Sequence, residues 1–199
     1  MPKKWLFHFG RALAAVALAA IFAASPALAA GGGVTKEEAA GLAWMREEEK
    51  LARDVYLAMY AKWGASIFGR ISRSEQMHMN AVKGRLDRYG LPDPASAQLG
   101  VFNEPTFRDL YPALIARGSQ SLSAALQVGI EVENLDINDL KTRLAQTNHA
   151  DIQQAYNMLL MGSYMHLRAF TNGASGGSGG GMGGGGMGGG GGRRCQCGR

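Results

Sequence analysis

Glu75-Gln-Met-His78 and Glu133-Asn-Leu-Asp136 each put two metal-capable side chains three residues apart. On an α-helix that spacing places both on one face, a short step from each other. The faces can be written out by following three- and four-residue steps. The first runs Leu42, Met45, Glu49, Ala52, Tyr56, Met59, and the second Phe68, Ile71, Glu75, His78, Val82, Tyr89. The third runs Leu122, Leu126, Gly129, Glu133, Asp136, Leu140, and the fourth Ile152, Tyr156, Leu159, Ser163, His166, Phe170. Each is an apolar stripe broken near its middle by groups that can bind a cation. Four carboxylates buried at one level without a cation are hardly tenable. A pair of metal ions removes the difficulty, and Glu with Glu-x-x-His on facing helices is the di-iron or di-manganese carboxylate pattern.

These stripes need long helices to carry them, and the chain between residues 34 and 172 reads as helix throughout. No alternating, β-branched run suggests a strand. Thr35 and Glu38 form a capping-box pair opening a helix to about Lys62. Ser66 is expected to cap a second helix ending at Tyr89, before Gly90, Pro92 and Pro94. Pro105 starts a short helix to Gly118, with a bend expected at Pro112. A further helix spans Ser121 to about Gln146, and Asn148 is expected to cap a last one ending near Phe170. Two short connections make antiparallel pairs. The long stretch from Gly90 to Gln120 is enough to return along a helix of roughly 34 Å. The expected architecture is all-α, a ferritin-like four-helix bundle with one long crossover carrying a short extra helix.

The flanks differ in kind. Lys3, Lys4 and Arg11, an apolar run over Ala12–Ala24, and Ala27-Leu28-Ala29 have the three parts of a secretory signal peptide. The apolar run falls short of the ~20 residues that span a bilayer. Residues 1–29 are therefore expected to be cleaved, leaving a periplasmic or secreted protein with no membrane attachment. Sixteen of the 29 glycines lie beyond Asn172, so residues 173–199 read as a disordered Gly/Met-rich tail ending in Cys195-Gln-Cys197. Two thiolates are an incomplete metal site, so the tail is read as a tether whose thiols oxidise or pair. Six of the 21 basic residues belong to these flanks, leaving the middle with 15 basic against 16 acidic residues. No basic cluster for nucleic acid remains.

The run Glu49-Lys-Leu-Ala52-Arg53-Asp-Val-Tyr56 resembles the first ligand helix of rubrerythrins, and Ser74-Glu75-Gln-Met-His78 resembles their first Glu-x-x-His. Glu133-x-x-Asp136 is similar to the paired acids of their third helix. The longer run Met45-Arg-Glu-Glu-Glu-Lys-Leu-Ala-Arg-Asp-Val-Tyr56, with Gly162-Ser163-x-x-His166-Leu-Arg-Ala-Phe170, most resembles the ferritin-like family catalogued as domain of unknown function 2202. The resemblance covers nearly the whole middle segment and implies a ligand set of Glu49, Glu75, His78, Glu133, Asp136 and His166. It departs from rubrerythrins at Ser163, where their second Glu-x-x-His carries a carboxylate. Two unequal ions are expected in consequence. The rubrerythrins' four-cysteine electron-transfer part has no counterpart, so an electron donor would be external.

The expected cofactor is iron, two ions, with manganese or zinc as alternatives, and the expected partner is oxygen or peroxide. The leading reading is ferroxidase or peroxide-scavenging chemistry. Its competitors are a metal-holding bundle without turnover and a helical interaction module. A homodimer fits these readings. Tyr56 is expected beside the site, and Tyr156 is either near it or a core aromatic with a satisfied hydroxyl. Of Glu47, Glu48 and Glu49, only Glu49 is expected to face inward, with Glu48 as the fallback. Glu131 and His149 are expected in solvent, and Met77, Met158, Met161 and Met165 are read as packing residues rather than copper ligands.

Overall fold

A computed structural model describes residues 33–176. The expected signal peptide, and the tail from residue 177 onward, lie outside the described residues. Five helices and no strand are present among them: α1 Lys36–Trp63, α2 Ser66–Arg88, α3 Pro105–Gly118, α4 Leu122–Gln146 and α5 Ala150–Gly176. No helix there is long and apolar enough to cross a membrane.

The capping box forms as read. Glu38 N donates to Thr35 Oγ1 at 3.1 Å, and Thr35 N to Glu38 Oε2 at 2.9 Å. Gly64, at φ +64°, ends α1 in a left-handed conformation that suits a residue without Cβ. Three boundary expectations are corrected. Ala65, not Ser66, is the cap of α2, and Ser66 Oγ accepts from Arg70 Nη1 one turn on. Asn148 does not cap α5; its N–H donates to Glu38 Oε1 at 3.2 Å, and the helix opens on the His149 carbonyl. α5 also continues six residues beyond Phe170, taking in Gly173 and Gly176. Packing overrides glycine's poor propensity there, because Gly173 lies against Leu126 and Ile67.

Direction follows from paired contacts. Tyr60 meets Gly69 and Arg53 meets Gln76, so α1 and α2 are antiparallel. Trp44–Asp139 and Tyr56–Gly129 make α1 and α4 antiparallel as well. Hence α2 and α4 run the same way, and the connection between them is the expected crossover. Two apolar clusters fill the bundle, one around Tyr56, Phe68, Leu126 and Phe170, the other around Leu42, Val82, Leu140 and Tyr156. Each fully buried side chain of this kind contributes about 1.5–3 kcal/mol.

The crossover is fixed to the outer side of α1 by polar groups rather than left as a loop. Arg46 pairs with Asp93 at 2.9 Å. Glu47 accepts from Asn103 N at 2.8 Å and Glu104 N at 2.6 Å. Lys50, wholly buried, binds Asp54 and the Gln98 carbonyl, and Asp54 accepts from Gly100 N. Glu47 and Glu48 are therefore not a solvated charge run, contrary to expectation: both are buried. Helical periodicity marks only the bundle-facing side of α1, so it cannot signal the crossover lying on the other side.

Glu131 is exposed and paired with Arg117, as expected of a surface acid. His149 is not solvated but part-buried, with Nδ1 2.8 Å from Glu38 Oε1. Met77, Met158, Met161 and Met165 are exposed, which overturns their reading as packing residues.

Candidate metal centre

Between the two apolar clusters lies a buried layer of acids and imidazoles. α1 supplies Glu49, α2 Glu75 and His78, α4 Glu133 and Asp136, and α5 His166, each from its inward stripe. All six are buried. Among the described residues, two groups of three have ligand atoms within 4.8 Å of one another: Glu49–Glu75–His78 and Glu75–Glu133–His166. Glu75 belongs to both. His78 Nδ1 stands 2.8 Å from Glu75 Oε2 and 3.2 Å from Glu49 Oε2. His166 Nδ1 stands 2.8 Å from Glu75 Oε1 and 3.6 Å from Glu133 Oε2. The two rings stack with centroids 5.5 Å apart.

Asp136 is brought to the layer but not into either group. It contacts Ser163 Oγ, which also lies 2.9 Å from the Leu159 carbonyl. Ser163 is the donor to both acceptors. Burial, then the charges of Glu49, Glu48 and Glu133, push the Asp136 carboxyl well above its usual range, against the hydrogen bond from Ser163, which lowers it.

Protons balance the remaining charge. Burial drives Glu49 up to about 7 against the pull of His78. Burial and then the Glu75 charge raise Glu133 to about 8. Burial would also raise Glu75, but the approaching His166 and His78 hold it at about 2. Burial opposes charging the imidazoles, yet Glu49 and Glu75 lift His78 to about 10, and Glu133 and Glu75 lift His166 to about 9.

The donor set fits a cation by a test internal to the layer. Among the described residues Glu49 Oε1 is buried and completes no hydrogen bond, and Glu75 Oε1 and His166 Nδ1, 2.8 Å apart, complete none with any other group. An unsatisfied buried polar atom costs about 1–3 kcal/mol, which coordination would offset. Mixed carboxylate and imidazole donors suit iron, manganese or zinc rather than a soft ion.

Tyr56 donates its hydroxyl to Glu133 Oε1 at 2.7 Å, orienting that carboxylate, and burial with the Glu133 charge pushes its own ionisation well above the usual range. Tyr156 does not join the site. It packs in the other cluster, and its hydroxyl has no hydrogen-bond partner among the described residues.

Two positions escaped the stripe reading. Gly162 backs onto His78: a Cβ there would lie 2.6 Å from the ring's Cε1 and Nε2. Glu48, weighed only as a fallback, is buried beside the layer, where its Oε2 accepts from Trp44 Nε1 at 3.1 Å. That indole also donates to Asp139 at 2.7 Å, and burial followed by the Asp139 charge raises Glu48 well above its usual range. The sequence signal for Glu48 is the stripe it shares with Trp44, Leu51 and Val55.

Residues 38–178 match the profile of the uncharacterized protein domain DUF2202. The chain is 49% identical over 138 residues, 69% of its length and 75% of the relative's, to the uncharacterized protein MJ0754 of Methanocaldococcus jannaschii. The crystal structure of hypothetical protein MJ0754 from Methanococcus jannaschii superposes with a TM-score of 0.72 at 46% identity, covering 73% of this chain and 84% of that one. A DUF305 fragment from Deinococcus radiodurans shares the fold at TM-score 0.60 and 14% identity, over 72% of this chain and 98% of that one.

Proposed function

The chain belongs to the DUF2202 family, and from that premise we propose that it is a ferritin-like di-metal carboxylate protein, with two iron ions reacting with oxygen or peroxide. The observation that carries this reading is the sharing of Glu75 between two buried acid–histidine groups. Glu and imidazole groups facing one another from separate helices resemble the ligand layer of di-metal carboxylate bundles. Glu49, Glu75 and His78 would hold one ion, and Glu75, Glu133 and His166 the second. Iron held there would supply electrons to the oxidant on passing from ferrous to ferric, and an external donor would have to return them.

The protein's own groups do the rest. In the metal-free layer Glu49 and Glu133, poised near neutrality, hold protons that an arriving ion would displace. Tyr56 fixes the Glu133 oxygen to which it donates. The two apolar clusters keep bulk water from the layer. Ser163 stands where a further carboxylate would complete a symmetric set, which supports unequal affinities for the two ions. That substitution also favours the second reading, a bundle that holds metal without turnover. Export to the periplasm rests on the sequence of residues 1–29 and is tested by the intact mass of the mature protein.

The deciding experiment adds ferrous ion anaerobically, then oxygen or peroxide in a stopped-flow spectrometer. Ferrous ion should raise the melting temperature, since binding the native state stabilises it. Rapid oxidation, absent in Glu75→Ala/His78→Ala, supports the redox reading. Stabilisation without accelerated oxidation supports the holding reading. Equal stabilisation of parent and double variant rejects both.

A further inference from the structure

The seven methionines among the described residues divide sharply. Met45, Met59 and Met79 are buried, whereas Met77, Met158, Met161 and Met165 are 63%, 47%, 68% and 57% exposed. The exposed four are not scattered. Three contacts fix the register of α2 against α5: Ile67 with Gly173, His78 with Gly162, and Tyr89 with Asp151. They are three turns apart on each helix and show an antiparallel pair. Met77 therefore stands at the level between Met161 and Met165. Met158, Met161 and Met165 follow three- and four-residue steps on the flank of α5 nearest α2, next to the face that carries Gly162. Met77 lies on the matching flank of α2.

We propose that the outer groove between α2 and α5 binds a soft monovalent cation, cuprous copper, through the thioethers of Met77, Met158, Met161 and Met165. Residues at these helical steps have Cβ atoms about 5–6 Å apart, and methionine's three rotatable bonds let the sulfurs converge. Thioethers select cuprous copper over harder divalent ions. The polar exposed neighbours are Arg70, Arg73 and Asn80 on α2, with Gln154, Asn157 and Arg168 on α5; none is a carboxylate that would favour a hard dication, and the three guanidiniums oppose a cation, so binding rests on the thioethers alone. The groove shares no ligand with the buried layer, where Glu75 and His78 turn inward toward Glu49 and His166.

The test uses the full chain with Cys195→Ser and Cys197→Ser, which removes the two thiolates that would bind copper by themselves. Cuprous ion is titrated anaerobically against a chromogenic chelator. One copper per chain should be withdrawn from the chelator, with a sulfur-dominated shell in X-ray absorption. Adding Met161→Leu and Met165→Leu should abolish that uptake while leaving helicity and melting temperature unchanged, because both positions are exposed. Glu75→Ala/His78→Ala should leave uptake intact, which separates this site from the proposed iron centre. The proposal is overturned if the thiol-free protein takes no copper, or if the leucine variant takes as much as its parent. It is equally overturned if the leucine substitutions leave copper uptake unchanged and convert a dimer to monomer, which would make the groove an interface between copies.

Discussion

Glu75 stands between His78 and His166, with Oε2 2.8 Å from one Nδ1 and Oε1 2.8 Å from the other. One carboxylate thus faces two imidazoles raised to about 10 and about 9, while Glu133 is raised to about 8. All three hold protons at pH 7, and a metal ion can bind only as they leave. With Glu49, raised to about 7, half protonated as well, filling both positions at pH 7 should release about three to four protons per chain. Calorimetric titration with ferrous or manganous ion in buffers of differing ionisation enthalpy gives that number as a slope. Affinity should also climb as the pH rises from 7 toward 10; a flat slope with pH-independent affinity would mean these residues are not the ligands.

Gly162 sets how closely α5 approaches His78. A Cβ at that position would lie 2.6 Å from Nε2 and Cε1 of the ring, so Gly162→Ala must displace the imidazole or the helix. Overpacking of this kind costs about 1–3 kcal/mol. Because the residue displaced is a ligand, metal affinity should fall about 10–100-fold, the range seen when a ligand loses its supporting contacts. Thermal melts of the metal-free protein beside metal titrations check both numbers. Unchanged affinity would show that His78 is not held by this contact.

Asp54 is the acceptor that closes the crossover onto α1, taking Lys50 Nζ, Gly100 N and the Arg53 guanidinium. With Lys50 at 0% exposure, Asp54→Ala leaves a buried ammonium without its counter-charge. The expected loss is about 3–5 kcal/mol, measured by urea unfolding. Lys50→Met in the same background should recover part of it, since an apolar pair of similar volume avoids the desolvation cost.

Glu38 joins the start of α1 to the α4–α5 connection, accepting from Thr35 N, Thr147 Oγ1 and Asn148 N and standing 2.8 Å from His149 Nδ1. Burial would raise its pKa, but the bonds from His149, Thr147, Thr35 and Asn148 lower it from 4.5 to about 2. A carboxylate depressed on folding contributes stability that is present above its unfolded value and lost as pH falls through its folded value. Parent and Glu38→Gln should therefore differ most in stability above pH 4.5 and converge toward pH 2. Unfolding free energies measured across that window decide it; a constant gap would mean the charge of Glu38 contributes nothing.

The sequence by itself determined the helices and all five residues of the two acid–histidine groups, with Asp136 the one expected ligand that joins neither. Three- and four-residue periodicity is a local property, and so are the Thr35–Glu38 box and the Pro105 start. Glu49, Glu75, His78, Glu133 and His166 stood out because a charged group breaking an apolar stripe contradicts the stripe. Tertiary structure alone decided what each of them meets. That Glu75 is shared, and that Asp136 turns to Ser163 instead, depends on the rotation of four helices about their own axes, and spacing along one helix carries no record of it. The fate of Glu47 and Glu48 was hidden for a related reason. Their partners Asn103, Glu104 and Asp139 lie more than fifty residues away, so each acid looked like an ordinary solvated group until the crossover and α4 covered it. The exposed methionines show the reverse. An apolar residue at helical spacing reads as core from sequence, and only the packing of α2 on α5 shows that this flank faces water.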